Sequence, residues 1–488
     1  MEKIILLHEL KNIVLTPKFY SSFLVITVLL LLSVFLGIRN YKDTVKQYET
    51  VTRLSNQEMR ESSDWMGLNA KMHRKPDPLQ IFVSGINDDI GRYSNISTFN
   101  PVKLIHSNYS DNPVYAVFRF IDFTFIVTII LSLFVIIFTY DAINGEKERG
   151  TLQLVLSNAV LRKDYIIGKI TGIWLGLIVP LFIPVLLSIL IVLLYRIPFA
   201  ADGWLRLFLL LSASFLLYTF FIVLGILSST LTPHSSTSFL ISLSAWILFV
   251  FIIPRAGIMT AAQIIKVPGF AEIQGRESSF EKQRWEKNMN DAQERWKFRN
   301  AEMAKFPKEK RSAIRNQKMW EWMEEEDKDR KQVQIDIDNY NVKLTEDFRN
   351  NKLQQEKLGF ILSSFSPVSA FQLCAMNIAG TDINLKNRYE DLLTKYRTDF
   401  NNYKEKKQKE SKSPGGIRIT IDSESGLKIE TSREKGTLDL SGLPALHDYS
   451  YSFGQAFLSS VKSGGIIIFF IFICLGASVW KFMRFDVR

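Results

Sequence analysis

Six stretches of this chain are apolar enough and long enough to cross a bilayer, and most of the charge lies between them. A helical span needs about 20 mainly apolar residues to cover the hydrocarbon. That criterion picks out residues 19–38, 121–140, 165–194, 205–231, 236–253 and 465–482. No small-residue cleavage site follows the first run, so it reads as a retained span rather than a cleaved leader. The third span carries Gly172, Gly176, Pro180 and Pro184. This predicts a kink or a broken helix, because proline removes a backbone donor and crowds the preceding turn.

The polar stretches carry their own patterns. In residues 1–18, Ile4, Leu7, Leu10 and Val14 recur at helical spacing, with Lys3, Glu9, Lys11 and Asn12 pointing elsewhere. The spacing predicts an amphipathic helix lying in the membrane interface; the competing reading is a frayed terminus. Residues 39–120 read as a polar loop domain that opens with a helical stretch at 41–60. Residues 254–464 form a second, larger one. Its composition is helical from 278 to 356 and is broken at Pro307, which predicts a helical hairpin of 280–305 and 308–356. Trp285, Trp296, Trp320 and Trp322 either hold that hairpin together or grip a partner. Residues 358–382 predict an apolar helix docked on the bundle, with a seventh, partial span as the alternative. A charged helix at 384–410 and a linker at 412–416 follow. Strict alternation at 417–421 and 427–431 then predicts a small β-hairpin. The expected fold is an all-α polytopic membrane protein. It has six transmembrane helices, an N-terminal interfacial helix and a mostly helical extracytoplasmic domain with a β-hairpin.

Composition narrows the function. The 488 residues are 47% hydrophobic and 22% charged, with a mean hydropathy of +0.06 and a net charge of +11. The basic excess flanks the spans and decorates polar helices, and no nucleic-acid-binding motif accompanies it, so no nucleic-acid partner is expected. Cys374 and Cys474 are too few for a disulfide framework, and the five histidines lack metal-ligand spacing. The short basic segments fix an orientation. Lys3, Lys11 and Lys18, then Lys147, Arg149, Arg162 and Lys163, then Lys481, Arg484 and Arg488 fall on one side if both termini are cytoplasmic. The turn at 196–206, basic but outside, is a mild exception. The spans are nearly free of ionisable residues, which argues against an ion-coupled carrier.

The densest signal is the charged segment 141–164 between the second and third spans. It runs Asp141-Ala-Ile-Asn-Gly-Glu-Lys-Glu-Arg-Gly-Thr-Leu-Gln-Leu-Val-Leu-Ser157 and is followed, after Asn158 and Ala159, by Arg162 and then Gly168-Lys169. This pattern resembles the cytoplasmic coupling segment of ABC-2-type exporter permeases. Glu146, Gly150, Thr151, Leu152, Leu156, Ser157, Arg162, Gly168 and Lys169 match, while Asn158-Ala159 stands where the family often has proline. Glu9 resembles the acidic residue of the family's N-terminal elbow helix. Residues 366–372 and 379–382 resemble a patch of the larger, multicopper-enzyme-maturation type. The resemblance implies a permease in the bacterial cytoplasmic (inner) membrane, paired with a second permease chain and driven by a separate ABC ATPase subunit. It implies that Glu146, Gly150, Thr151, Leu152, Arg162 and Lys169 couple the two. This chain has no phosphate-binding loop, since Gly168-Lys169 is followed by Ile170 and lacks the upstream glycine. ATP and Mg are therefore expected on the partner, with no catalytic residue, metal or cofactor in this chain. The function expected is export of an unidentified substrate. The alternative is an ATP-driven scaffold or mechanotransducer acting on an extracytoplasmic protein partner.

Overall fold

The computed structural model describes residues 2–65, 67–97, 102–107, 121–158, 160–410, 416–422, 426–432, 438–446 and 451–484. The expected linker at 412–416, apart from Gly416, lies outside these residues. So do Arg488 and the side chain of Trp320. Among the described residues, six helices are long and apolar enough to cross a membrane: Pro17–Glu61, Phe123–Glu148, Arg162–Leu194, Ala201–Leu231, Ser235–Ile264 and Phe453–Met483. The all-α polytopic fold is therefore the one found. The chain divides into two compact units, residues 1–252 with 364–488 and residues 253–363.

In the first unit, α1 (Glu2–Val14) ends just before Thr16, whose side chain accepts from Phe19 N and starts α2 (Pro17–Glu61) with proline in its first turn. The span at 19–38 and the helical stretch at 41–60 are thus one helix of 45 residues. The next span, α3, runs through Phe123–Phe125, a π-helical stretch Ile126–Leu131 and Ser132–Thr139. The hydroxyls of Thr128 and Ser132 bond back to carbonyls one turn earlier. Trp246 Nε1 donates to Ser132 Oγ at 2.8 Å, tying in the span α8 (Ser235–Ile247, then a π stretch Leu248–Ile252). Two short helices, α4 (Asn144–Glu148) and α5 (Thr151–Ser157), lead to α6 (Arg162–Leu194). Of the kink or break expected in this third span, the break is absent: α6 is continuous through Pro180 and Pro184. Ser188 Oγ bonds back to the Pro184 carbonyl at 2.8 Å.

At the centre of the bundle is α7 (Ala201–Leu231), which packs on α14 (Phe453–Met483), α12 (Pro367–Ala379) and α3. Phe220, Phe221, Ile222 and Val223 are consecutive and all buried, as expected of a helix enclosed on every side. At Gly225 a Cβ would collide with the Thr139 hydroxyl of α3. With 13 residues, α12 is too short to span. Ser366 caps it and also donates to the Phe249 carbonyl, and Gly380 closes it in the left-handed region at φ 70°. Nearly all of its apolar residues are buried.

Beyond the spans, this unit builds a globule that the sequence pattern only partly predicts. A two-stranded antiparallel sheet pairs β1 (Ala70–His73) with β2 (Tyr93–Ile96). Trp65, Leu68 and Ile96 pack against Leu393, Tyr396 and Phe400 of α13 (Leu385–Glu410). Arg92 is buried with Asp88 at 2.7 Å and also donates to Thr44 of α2. The predicted hairpin is present as β3 (Gly416–Asp422) and β4 (Gly426–Ser432), with Ile419 opposite Ile429.

The second unit comprises α9 (Ile253–Ile264), α10 (Phe270–Ala304) and α11 (Lys308–Ser363). The long region read as 254–464 is thus shared between the two units. The helical hairpin forms and breaks around Pro307. Its seam is ionic and aromatic. The Arg299 guanidinium lies 5.4 and 5.3 Å from the ring centroids of Trp296 and Trp322, which meet edge to face, and pairs with Glu325 and Glu326. Phe280 stacks on Tyr340 at 3.9 Å. Trp296 and Trp322 therefore hold the hairpin together.

Two predictions follow from this packing. Gly225→Ala should destabilise the protein in detergent by about 1–3 kcal/mol, whereas Gly476→Ala, which meets nothing within 4 Å, should leave the thermal melt unchanged. His73 supplies the second. Burial, then Arg92 and Arg74, push its imidazole down to about 4, against roughly 6.5 when unfolded. A depressed imidazole contributes stability above its unfolded value and loses it as pH falls towards the folded one. Between about pH 6.5 and 4 the wild-type melt should drop further than that of His73→Gln.

Candidate coupling site

The site begins with a lysine in the wrong solvent. Lys169 sits two turns into the apolar helix α6 and is 2% exposed. Burying an unpaired ammonium costs several kcal/mol or more, so it must be paired and hydrogen-bonded. Its Nζ lies 3.0 Å from Glu9 Oε1 and also contacts Glu146 Oε1. Tyr165, one turn earlier on the same face, donates its hydroxyl to Glu146. The Lys169 ammonium lies 5.7 Å from the Tyr165 ring centroid. One ammonium thus joins three segments: α1, α4 and the start of α6. Burial pushes the Glu9 carboxyl above its usual range, and Lys169 opposes that shift.

Glycine makes the geometry reachable. A Cβ at Gly172 would lie 2.8 Å from Glu9 Cβ and 3.0 Å from the Leu6 carbonyl. One turn on, a Cβ at Gly176 would meet Ile13 at 3.4 Å. The two glycines that suggested a break instead form a flat track on which α1 lies close enough for Glu9 to reach Lys169.

The rest of the segment is tied to neighbouring helix ends. Asn144 is buried; its Nδ2 donates to Thr232 at 3.1 Å and its Oδ1 accepts from Ser229 at 2.9 Å. Ser229 Oγ also accepts from the backbone N–H groups of Ile143 and Asn144. Glu148 accepts from the backbone and hydroxyl of Ser235 at 2.8 and 2.7 Å, capping the start of α8. Arg162 Nη1 donates to the Met483 carbonyl at 2.9 Å, and Tyr165 stacks on Phe482 at 5.4 Å, which brings in the end of α14.

The six residues singled out by sequence therefore fall into two sets. Glu146, Leu152, Arg162 and Lys169 make internal contacts, with Leu152 fully buried. Gly150 and Thr151 belong to the outer face. Gly150 adopts φ 73° with nothing within 4 Å, and separates α4 from α5 in a conformation that costs an L-residue about 1 kcal/mol or more. Thr151 is exposed and bonds back to the Glu146 carbonyl. Where the family often has proline, Asn158 Nδ2 bonds to the Leu154 carbonyl at 2.8 Å and closes α5. Tyr165, Asn144 and Glu148 were not among the site residues read from sequence. Only the four-residue spacing of Tyr165 and Lys169 could have hinted at the first. Beside the cluster, α1 and α5 enclose a groove of about 530 Å³.

This arrangement defines a class first: a six-span membrane subunit with a short, firmly anchored segment between its second and third spans. A family model described as ABC-2 family transporter protein matches residues 4–487. The chain therefore belongs to the ABC-2 family of transporter proteins, whose membrane subunits work with an ABC ATPase. No curated protein matches the chain.

Removing the ammonium alone would strand two buried carboxylates. Lys169→Met should therefore destabilise by about 3–5 kcal/mol. The triple variant Glu9→Gln, Glu146→Gln, Lys169→Met should recover most of that loss in thermal unfolding.

Proposed function

We propose that this chain is the permease subunit of an ABC exporter, and that residues 141–158 carry the motion of the ATPase into the spans. The observation that carries this reading is the Lys169 cluster. Residues that form a charged turn in the sequence are bonded into α1, α6, α7 and α8. A solvated turn would need none of these bonds. A push on the outer face of α4 and α5 reaches four helix ends at once, because breaking either arm of the cluster leaves a buried charge unpaired. The segment moves as a rigid body together with its anchors, which is how packed elements transmit switching transitions.

In this reading both termini and residues 141–164 face the cytoplasm of a bacterium, and ATP and Mg reside on the ATPase subunit. Two permease chains flank the pathway. The scarcity of charge in the spans favours a hydrophobic or amphipathic cargo. The second reading, a transducer acting on an extracytoplasmic protein, is favoured by the 111-residue helical unit 253–363, larger than a minimal exporter needs.

Reconstitution of the permease with its ATPase in vesicles tests the proposal. Wild type should stimulate ATP turnover. A folded cluster variant, the triple Glu9→Gln, Glu146→Gln, Lys169→Met, should still bind the ATPase but lose about tenfold or more of the stimulation, within the usual range of coupling energies. Undiminished stimulation in that variant would end the coupling reading. Stimulated turnover with no movement of amphipathic cargo across the vesicle would favour the transducer.

A further inference from the structure

Where the β1–β2 sheet ends, two arginines meet inside the globule. The register pairs Ala70 with Ile96 and Met72 with Ser94. One step further, Arg74 N donates to the Arg92 carbonyl at 2.9 Å, so these two residues oppose each other. Residues two apart share a face of a strand. Arg74 and Arg92 therefore lie on the face of Ala70 and Ile96, which enters the core. They are 7% and 5% exposed. Like charges directly opposite on paired strands repel, and a low dielectric strengthens the repulsion. Burial, then Arg92, pulls the Arg74 guanidinium down to about 10, so it stays charged at neutral pH.

The compensation is uneven. Arg92 pairs with Asp88 at 2.7 Å. Asp88 also favours the charge on Arg74, but at longer range. Arg74 donates from Nη2 to the Asn87 carbonyl at 2.9 Å and has no carboxylate within ion-pairing distance among the described residues. Three buried donors of this network have no acceptor: Arg74 Nε, Gln80 Nε2 and the Ser94 hydroxyl. Gln80 is joined to it through Asn87, whose Nδ2 donates to Gln80 Oε1 at 2.9 Å. Ser94 lies diagonally across the sheet from Arg74 on the same face.

A buried charge must be paired, and a buried donor must find an acceptor. Here both demands fall on one place, and their signs agree: a surplus of positive charge beside a surplus of donors. An anion that accepts hydrogen bonds meets both. The surplus is one guanidinium, so a monoanion balances it and a doubly charged phosphate overshoots. Among monoanions, a carboxylate matches the planar guanidinium best. We propose that this end of the sheet is a carboxylate-binding site, with Arg74 as the charge partner and Ser94 and Gln80 as further donors. The carboxylate comes either from a small free acid or from the end of a peptide chain. The site gives the globule a ligand of its own, separate from the Lys169 cluster and independent of the coupling reading.

Thermal unfolding of the full chain in detergent, at constant pH and ionic strength, tests the site. Acetate should raise the wild-type melt saturably over chloride. Arg53→Met, which removes an exposed guanidinium from α2, should respond as wild type does, whereas Arg74→Met should lose the response. Ser94→Ala keeps both arginines and serves where Arg74→Met does not fold; its acetate dissociation constant should rise about threefold or more. N-acetylglycine, which ends as a peptide does, separates the two sources. A dissociation constant at least about tenfold below that of acetate upholds the site with a peptide terminus as occupant; equal constants uphold it with a small free acid. Chloride acting as strongly as acetate, inorganic phosphate acting more strongly than either carboxylate, an undiminished response in Arg74→Met, or an unchanged constant in Ser94→Ala would each overturn the proposal.

Discussion

The ammonium of Lys169 is the constraint on which one end of this molecule depends. A lysine in the apolar part of a helix is affordable only when counter-charges surround it, and here they come from 23 and 160 residues away. Satisfying them dictates where α1 lies, why α6 must be glycine at Gly172, and which way the 141–158 segment turns. If any of the three segments loses its contacts, a buried charge is left unpaired, at a cost several times thermal energy. On the coupling proposed above, a displacement at the segment is therefore carried onward instead of dissipated.

The other parts of the chain are held differently. In the globule built from β1, β2 and α13, an aromatic and aliphatic core does the holding, with the Arg92–Asp88 pair buried beside it. In the unit 253–363 the apolar content is low, and α10 and α11 are joined by Arg299, Trp296, Trp322 and a row of ion pairs. Part-exposed pairs of this kind contribute little each. The guanidinium set against both indoles is the stronger element, because cation–π attraction grows as water is removed.

Most of the architecture was legible because membranes enforce a simple rule: each span must be a long apolar helix. The rule locates spans but not their ends. Nothing between Ile38 and Tyr41 stops a helix, so α2 runs on to Glu61, and a hydropathy criterion cannot see that continuation. The prolines of α6 do not break it: the helix runs through both Pro180 and Pro184. The four-residue strands β1 and β2 were missed because their partners are set by tertiary packing against α13, not by alternation. At the site, the segment and its key residues were visible as a pattern, but their burial was not. Glu146 and Lys169 read as surface charges until Glu9, distant in sequence, is seen to close the cluster.

The division of labour within α5 follows from its length. Seven residues are too few to hold a helix in water, since nucleation is unfavourable and isolated helices need about 12–15 residues to be even marginal. The helix exists because Leu152 is buried beneath it, Gly150 sets its entry and Asn158 closes its exit. Leu154, two residues from Leu152, consequently points the other way and stays exposed. An exposed leucine on a helix fixed only from below is a pre-ordered contact surface. Its order is supplied by the same packing that joins it to Lys169, so whatever grips that surface also grips the charge cluster. On the coupling proposed above, the binding face and the transmission element are two sides of a single helical turn.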